Sequence, residues 1–353
     1  MIELSALLAA IVGALFLTPI AARMRGFSAA ETDTRWHTGH VPATGGIALC
    51  GGLLAGVGIA WAFGGGSRDE LVLVIGAVLA FLLGLRDDAR ILKPGVKLFG
   101  QVAIAVAGAF AGLAPGWAPA WIGVPIAAFV LVAAMNSVNL LDNIDGLAAG
   151  TSAAAAAGVV AAGSIALGHA PLGALALCGA CVGFLPFNYR PGRKALLFMG
   201  DSGSHLLGFA LGGSVLLVAG SGSFSFGRSL IVPVLLVSVP VLDTSLVMVV
   251  RKLEGRPLSV GGRDHLSHRL VYRGLSDWVA VALLVTVSAT SAAIACALLR
   301  LGSDAAAAGV TLVVAAALGL AAVRLVRSSP RLPTVVPASK ASLPIQNANV
   351  ISL

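Results

Sequence analysis

The sequence predicts an all-α membrane protein that crosses the bilayer many times. Of its 353 residues, 58% are apolar, only 11% are charged and 44 are glycine, which is far from the composition of soluble domains. Aromatic residues make up only 6%, so the apolar content is mainly small and aliphatic, which lets helices pack closely in lipid. We therefore exclude a soluble globular domain and predict one polytopic membrane domain over residues 1–329, followed by a disordered cytoplasmic tail over 330–353.

Eleven segments are apolar enough to be transmembrane helices, each of which needs about 20 residues. They are residues 1–22, 41–63, 70–85, 98–113, 120–135, 147–167, 171–187, 205–219, 229–250, 278–299 and 305–323. With eleven spans, 20 of the 23 Lys and Arg residues fall on one set of alternate loops, and only Arg68, Arg228 and Arg300 fall on the other. Because cytoplasmic loops collect basic residues, we predict an outside N-terminus and a cytoplasmic C-terminus.

Four polar segments at the predicted cytoplasmic ends of the spans carry the candidate chemistry, since ionisable groups near the membrane are unfavourable without a task. The first contains Asp87 and Asp88, followed by Lys97 and Gln101. Adjacent carboxylates repel each other, so one can retain a proton and act as a base, or both can gather Mg²⁺. A solvated helix end fits this pair equally well. A DDxxD box is excluded because position 91 is Ile.

The second segment places three amides and two carboxylates within ten residues and has no basic residue. Asn136, Asn139, Asp142 and Asp145 lie between two apolar spans. From Asn139 onward the spacing is three residues, which predicts that these side chains share one face of a helix end. Such a face is expected to line a cavity, because polar groups at lipid depth otherwise lack partners.

The third segment runs from Asn188 through a basic stretch into Gly200-Asp201-Ser202-Gly203. Free backbone N–H groups at the helix start after it suit a phosphate, and Asp201 is placed to hold a metal ion between oxygens. The alternative is that Asp201 only caps the eighth span.

The fourth segment combines Arg263, His265, His268 and Arg269. Two histidines three residues apart could bind a metal, but the neighbouring arginines fit a diphosphate better. A simple basic cytoplasmic loop is the alternative. Asp243 lies inside the preceding span, about 12 Å down a helix, and is expected to face a polar cavity.

Together these segments resemble the polyprenyl-phosphate N-acetylhexosamine-1-phosphate transferases, over about residues 33–276. The matching motifs are Pro42–Gly46, Asp87–Asp88, Asn136–Leu147, Phe198–Ser204 and Asp264–Leu270. The resemblance implies transfer of a sugar-1-phosphate from a UDP-sugar to undecaprenyl phosphate, with release of UMP. It further implies Mg²⁺, or Mn²⁺ in its place, in a cytoplasm-facing cleft of a bacterial inner membrane, at the first membrane step of envelope polysaccharide synthesis such as that of O-antigen.

The resemblance also implies roles for individual residues. Asp201 and Asn139 correspond to metal ligands, and Asp87, Asp88 and Asp201 correspond to catalytic acids. The candidate substrate-binding residues are Lys97, Asn136, Asp142, Asp145, Asn188, Asp243, Arg263, His265, His268 and Arg269.

The chain departs from the family pattern in two places. Ser267 stands where the family commonly has a middle histidine, which argues against the muramoyl-pentapeptide branch and favours an N-acetylglucosamine donor. Trp36 replaces a basic residue after the first span. Two other function classes remain open at this point, an intramembrane Mg²⁺-dependent prenyltransferase and a cation-coupled transporter. The expected partners are the two substrates and the bilayer, with a homodimer allowed and no nucleic acid.

Overall fold

The computed structural model describes residues 1–24, 41–223, 225–257, 262–300 and 304–328. Thirteen α-helices form in this part of the chain, and α4 continues into a π-helical turn over Ala109–Leu113. They are α1 Ile2–Ala21, α2 Gly45–Ala62, α3 Arg68–Ala89, α4 Pro94–Gly108, α5 Ala120–Leu141, α6 Leu147–Leu167, α7 Leu172–Asn188, α8 Gly200–Gly220, α9 Phe226–Leu236, α10 Ser238–Leu253, α11 Leu266–Tyr272, α12 Asp277–Arg300 and α13 Asp304–Ser328.

The prediction of an all-α polytopic membrane protein is confirmed. Within the described residues, eight helices are long and apolar enough to cross a bilayer, and a ninth span forms if α9 and α10 count as one. Helix α3, which carries charges at both ends, and the 17-residue α7 also match predicted spans. The total of eleven crossings and their direction stay predictions, while Trp36 and the predicted tail over 330–353 lie outside the described residues.

The predicted span over 229–250 is divided into two helices in the structure. Helices α9 and α10 meet at an angle of 82° across Val237. Pro240 lies in the first turn of α10 and has no N–H to donate to the carbonyl of Leu236, which favours a break at this point. The break turns α10 toward α11 and the charged loop before it.

Helix α8 lies at the centre of the bundle, and almost all of its residues are buried. Its neighbours approach through glycines: a Cβ at Gly84 would overlap the backbone of Asp201, and one at Gly46 would overlap Ser202 and Gly203. Backbones this close are typical of helices that pack inside membranes. The contact brings the N-terminus of α8 directly against α2 and α3.

The start of α8 is held in place by backbone hydrogen bonds to the segment before α2. Phe198 N–H donates to the Pro42 carbonyl at 2.9 Å, and Gly45 N–H donates to the Phe198 carbonyl at the same distance. Gly200 then has a φ of +72°, which side-chain-bearing residues rarely adopt, and the chain turns there into α8. The Pro42–Gly46 and Phe198–Ser204 motifs therefore form one structural unit.

Candidate active site

A cluster of charged and amide side chains forms where α3, α4, α5 and α8 meet. The Lys97 ammonium contacts the Asp201 carboxylate and lies 3.0 Å from Oδ2 of Asp87. Asn139 donates from Nδ2 to Oδ1 of Asp201 at 2.8 Å and to the Ser204 hydroxyl at 3.0 Å. The structure thus brings together residues from three of the four polar segments.

The two adjacent aspartates at the end of α3 have different partners. Asp88 accepts hydrogen bonds from the backbone N–H groups of Asp201, at 2.8 Å, and Ser202, at 2.9 Å. Its carboxylate therefore caps α8 from a neighbouring helix. Asp87 instead accepts from Leu92 N–H at 2.6 Å through Oδ1, and its other oxygen faces Lys97. Only Asp87 of this pair shares the lysine with Asp201.

A second polar layer lies one helical turn below the cluster. His205 contacts the Asp201 carbonyl through Nδ1 at 2.6 Å and Gln101 Nε2 through Nε2 at 2.8 Å. Asn136 donates to Oε1 of Gln101 at 2.9 Å and to the Val132 carbonyl at 2.8 Å. His205 is fully buried, and sequence reasoning missed it, although a histidine one turn past Asp201 inside an apolar helix was the available signal.

The expectation that Asn139, Asp142 and Asp145 share one helical face is wrong. Helix α5 ends at Leu141, and Asp142 already has a non-helical ψ of 52°. The sequence Asp-Asn-Ile-Asp-Gly favours a turn, because Asx side chains hydrogen-bond locally and Gly146 adopts a positive φ of 84°. Asp145 turns toward the segment after α7 and accepts a hydrogen bond from Ala195 N–H at 3.2 Å.

This turn forms one wall of a cavity of about 470 Å³. The opposite walls are the segment after α7 and the start of α12, joined where the Tyr189 hydroxyl donates to the Trp278 carbonyl at 2.8 Å. The lining groups are acidic, basic and aromatic, and they include Asp142, Asn143, Asp145, Tyr189, Arg190, Arg193, Lys194, Phe198 and Trp278. The cavity begins three residues from both Asn139 and Asp201 along the chain, at Asp142 and Phe198.

Asn188 supports this cavity from below. Its Oδ1 accepts from Gly146 N–H at 2.7 Å, and its Nδ2 donates to the Leu197 carbonyl at 3.0 Å. The side chain is buried, and its amide oxygen and amide nitrogen each form a hydrogen bond with a backbone group. Asn188 therefore joins the two walls that carry Asp145 and Phe198.

Helix α11 presents the histidines and arginine of the fourth segment. Asp243 accepts from Leu266 N–H at 2.7 Å and from Nδ1 of His265 at 2.7 Å, so it contacts α11 instead of facing an open cavity as expected. The Ser267 hydroxyl donates to Oδ1 of Asn143 at 2.7 Å. This short helix is thereby fixed to both α10 and the turn after α5, and Nε2 of His265 is the ring atom opposite Asp243.

A buried ion pair holds the loop before α11. Arg251 donates two hydrogen bonds of 2.8 Å to Asp264, and each residue is only 1% exposed. Burial alone would raise the pKa of Asp264, but the hydrogen bonds and charge of Arg251 hold that pKa well below its usual range. Arg269 donates to the Asp264 carbonyl at 3.0 Å, and Arg263 lies in the same loop. Burial and the charge of His265 lower the pKa of His268 to about 4, which leaves a neutral ring near pH 7.

The donor groups of the cluster are oxygens suited to Mg²⁺ or Mn²⁺. In the described part of the chain, no three His, Cys, Asp or Glu side chains are close enough to hold a metal without other ligands. Mg²⁺ commonly binds through one or two carboxylates plus substrate phosphates, so a full protein cage is not needed. The Lys97 ammonium beside Asp87 and Asp201 marks a place where the protein favours positive charge. The residues therefore fit a divalent ion that shares its ligands with a phosphate substrate.

Comparison with known proteins shows the family to which the chain belongs. Residues 71–219, from α3 to α8, match the model of glycosyl transferase family 4. A decaprenyl-phosphate N-acetylglucosaminephosphotransferase of Mycolicibacterium smegmatis is 30% identical over 284 residues, which cover 70% of this chain and 69% of that protein. The chain belongs to glycosyl transferase family 4. It is therefore a membrane-embedded transferase, and the transporter and prenyltransferase readings are excluded.

Two further relatives show the breadth of this similarity within glycosyl transferase family 4. A probable undecaprenyl-phosphate N-acetylglucosaminyl 1-phosphate transferase of Bacillus subtilis is 28% identical over 290 residues, covering 77% of this chain and 78% of that protein. A phospho-N-acetylmuramoyl-pentapeptide-transferase of Desulforudis audaxviator is 34% identical over 212 residues, covering 50% and 62%. The region matched by the family model contains Asp87, Lys97, Asn139 and Asp201.

Proposed function

We propose that this enzyme transfers N-acetylglucosamine-1-phosphate from the UDP-sugar to undecaprenyl phosphate and releases UMP. The observation that carries the proposal is the carboxylate, lysine and amide cluster around Asp201, directly beside the acidic, basic and aromatic cavity. The cavity is large enough for a nucleotide, and its aromatic and basic side chains suit a base and a diphosphate. Relatives named for this kind of reaction support the same assignment.

The proposed reaction is a direct displacement at phosphorus. An oxygen of the lipid phosphate attacks the β-phosphorus of the donor, the bond to the bridging oxygen breaks, and UMP leaves with that oxygen. The lipid phosphate is largely ionised near pH 7, so a base is helpful but not required. Asp87 is the candidate proton acceptor, since Asp88 is engaged by the backbone of α8. A covalent aspartyl-phosphate intermediate is the less favoured variant.

Both substrates are anionic, so their approach requires positive charge. Lys97 supplies one cation in the cluster, and Arg263 and Arg269 supply others beside α11. His265, oriented by Asp243, is placed to hydrogen-bond a phosphate through Nε2. Asp201, with Asn139 and Asp87 next to it, would hold Mg²⁺, which when bound neutralises charge on the donor diphosphate.

We place this reaction at the cytoplasmic face of a bacterial inner membrane. The site lies at one end of the helical bundle, next to the basic loop after α7. Because basic loops concentrate in the cytoplasm, the nucleotide sugar would reach the cavity from that side.

The test is UMP release by the purified protein in detergent with Mg²⁺, undecaprenyl phosphate and UDP-N-acetylglucosamine. Other UDP-sugars test the donor, and a reaction without lipid phosphate tests the acceptor. We expect acceptor-dependent release that is lost after EDTA treatment and restored by Mg²⁺ or Mn²⁺. Folded protein that releases no UMP from any UDP-sugar would refute the proposal.

Variants test the metal assignment separately from turnover. Asp201→Asn and Asn139→Ala are expected to weaken Mn²⁺ binding, measured by electron paramagnetic resonance with the UDP-sugar present and the lipid phosphate absent, so that the donor phosphates can complete the metal site without turnover. Asp304→Asn is the matched control, because this exposed aspartate pairs with Arg228 at the opposite end of the bundle. Unchanged Mn²⁺ binding in both site variants would refute the assignment of these two residues.

A further inference from the structure

The second polar layer, defined by Asn136, Gln101 and His205, lies one helical turn away from the cluster on each of three helices. Gln101 lies four residues after Lys97 on α4, and His205 lies four residues after Asp201 on α8. Asn136 lies three residues before Asn139 on α5. Because residues three or four apart share a helical face, each member supports one residue of the cluster from one turn away.

The hydrogen bonds of this layer have only one consistent direction. Asn136 is oriented by donating to the Val132 carbonyl, so it also donates to Oε1 of Gln101. Gln101 must then donate from Nε2 to Nε2 of His205, since an amide nitrogen cannot accept. His205 consequently carries its proton on Nδ1 and donates it to the Asp201 carbonyl. Backbone carbonyls at both ends fix the order of the chain.

Burial makes this layer rigid. Gln101 is 1% exposed and His205 is fully buried, so water cannot replace a lost hydrogen bond easily. A satisfied polar network in such surroundings specifies one arrangement of the helices, whereas a broken one leaves unpaired polar groups. The layer therefore resists sliding of α4 and α5 relative to α8.

We propose that His205 and Gln101 are positioning residues that fix Lys97, Asp201 and Asn139 relative to one another for the transfer reaction. The proposal rests on the proposed function for its kinetic readout. We expect no contact between these two side chains and the substrates. They act by holding the register of three helices, on which the geometry of the cluster depends.

The kinetic test uses His205→Leu, Gln101→Leu and the double variant, each shown to be folded by size exclusion and thermal unfolding. Each single variant is expected to lower kcat about 10- to 100-fold, since a shift of about 1 Å at a reacting centre has an effect of this size. KM for either substrate should change less than about threefold, because the groups that bind substrate remain. The kcat of the double variant should be no lower than that of the slower single variant, since the two substitutions break the same series of hydrogen bonds.

Phe209→Leu is the control for a general loss of packing. Phe209 is fully buried one turn past His205 on α8 and contacts the glycine faces of α3 and α4. A kcat near wild type in this variant, at a similarly lowered Tm, is the expected result. Any of three results would overturn the proposal. They are a wild-type kcat in the His205 and Gln101 variants, multiplicative losses of kcat in the double variant, and an equal loss of kcat in Phe209→Leu.

A second measurement does not depend on turnover. Nitrogen-15 NMR of histidine-labelled protein, with His205 assigned by its loss in His205→Leu, should show a neutral ring protonated on Nδ1. The Gln101→Leu variant should shift the Nε2 resonance of this ring. A ring protonated on Nε2, or on both nitrogens, would refute the proposed order of hydrogen bonds, whether or not the protein releases UMP. Absence of UMP release alone would refute only the proposed function.

Discussion

Replacing Asp88 separates two roles that adjacent aspartates can have. In the structure its two carboxylate oxygens each accept one backbone N–H from the first turn of α8. Asp88→Ala removes both acceptors, whereas Asp88→Asn retains one oxygen and turns an NH₂ group toward the other donor. We therefore expect a graded loss of stability, larger for alanine than for asparagine.

The magnitude follows from the number of hydrogen bonds. A bond to a charged acceptor contributes about 1.5–3 kcal/mol, and loss of a helix cap costs about 0.5–2 kcal/mol. Because Asp88 is only half-buried and water can replace part of the loss, we expect about 3 kcal/mol for Asp88→Ala and about half of that for Asp88→Asn. Such a loss corresponds to a decrease in Tm of about 5 °C.

Thermal unfolding in detergent, followed by tryptophan fluorescence, measures this effect, and UMP release is measured on the same samples. Asp304→Ala is the control at the other end of the bundle and should lower Tm much less than Asp88→Ala, because Asp304 is exposed and water can replace its contacts to Ser225 and Arg228. Activity of the Asp88 variants is expected to fall together with Tm, because Asp201 moves when α8 loses its cap. An inactive Asp88→Ala protein with an unchanged Tm would show that Asp88 acts in the chemistry and that the capping argument is wrong.

Three further predictions concern buried polar groups. Asp264→Ala should destabilise the protein by about 3–5 kcal/mol, since it leaves the Arg251 charge buried, while Arg251→Met combined with Asp264→Leu should recover most of the loss. The pKa of His268 falls from 6.5 to about 4 on folding, so the folded protein favours the neutral ring. This favours folding by up to about 3 kcal/mol in the free energy of unfolding, an effect that is complete above pH 6.5 and declines as the pH falls toward 4. Asn188→Ala should cost about 2–4 kcal/mol, because two buried backbone groups lose their partner. Thermal unfolding in detergent measures all three effects, with a comparison of pH 7.5 and pH 5 for His268.

Each of these predictions has an outcome that contradicts it. A double variant as unstable as Asp264→Ala would mean that the ion pair itself stabilises the loop. For His268, the slope of Tm against pH should flatten in His268→Asn, and an unchanged slope would assign the acid sensitivity to another group. An Asn188→Ala protein with wild-type Tm would show that water replaces the amide.

The helices and the cluster were predictable to different degrees. Ten of the eleven predicted apolar segments each correspond to one helix, and the segment over 229–250 corresponds to the bent pair α9 and α10. Length and apolar composition are local properties of the sequence, whereas the bend is not. The sequence also identified Asp87, Lys97, Asn139 and Asp201, whose convergence followed from a family resemblance. The contacts that Asp201 makes with Asn139 and Lys97 could not be derived from spacing alone, since they join residues 62 and 104 positions apart.

The errors have identifiable physical causes. Helical periodicity predicts that Asp142 and Asp145 share a face with Asn139. Turn-forming residues and the positive φ of Gly146 end α5 before Asp142 instead. The division of labour between Asp87 and Asp88 depends on where α8 begins in space, which neither residue encodes. His205 was overlooked because its partner Gln101 lies on another helix.

The glycine contacts around α8 constrain the cluster around Asp201 more tightly than the walls of the cavity. A side chain at Gly46 or Gly84 would push α8 away from its neighbours, so this seam has almost no room for sequence change. The cavity walls are different, because Arg190, Arg193 and Trp278 come from loops and helix ends. Under the proposed function, new donor preferences are therefore expected to arise from substitutions in the walls, while the seam keeps Asp201 and its neighbours in the same place.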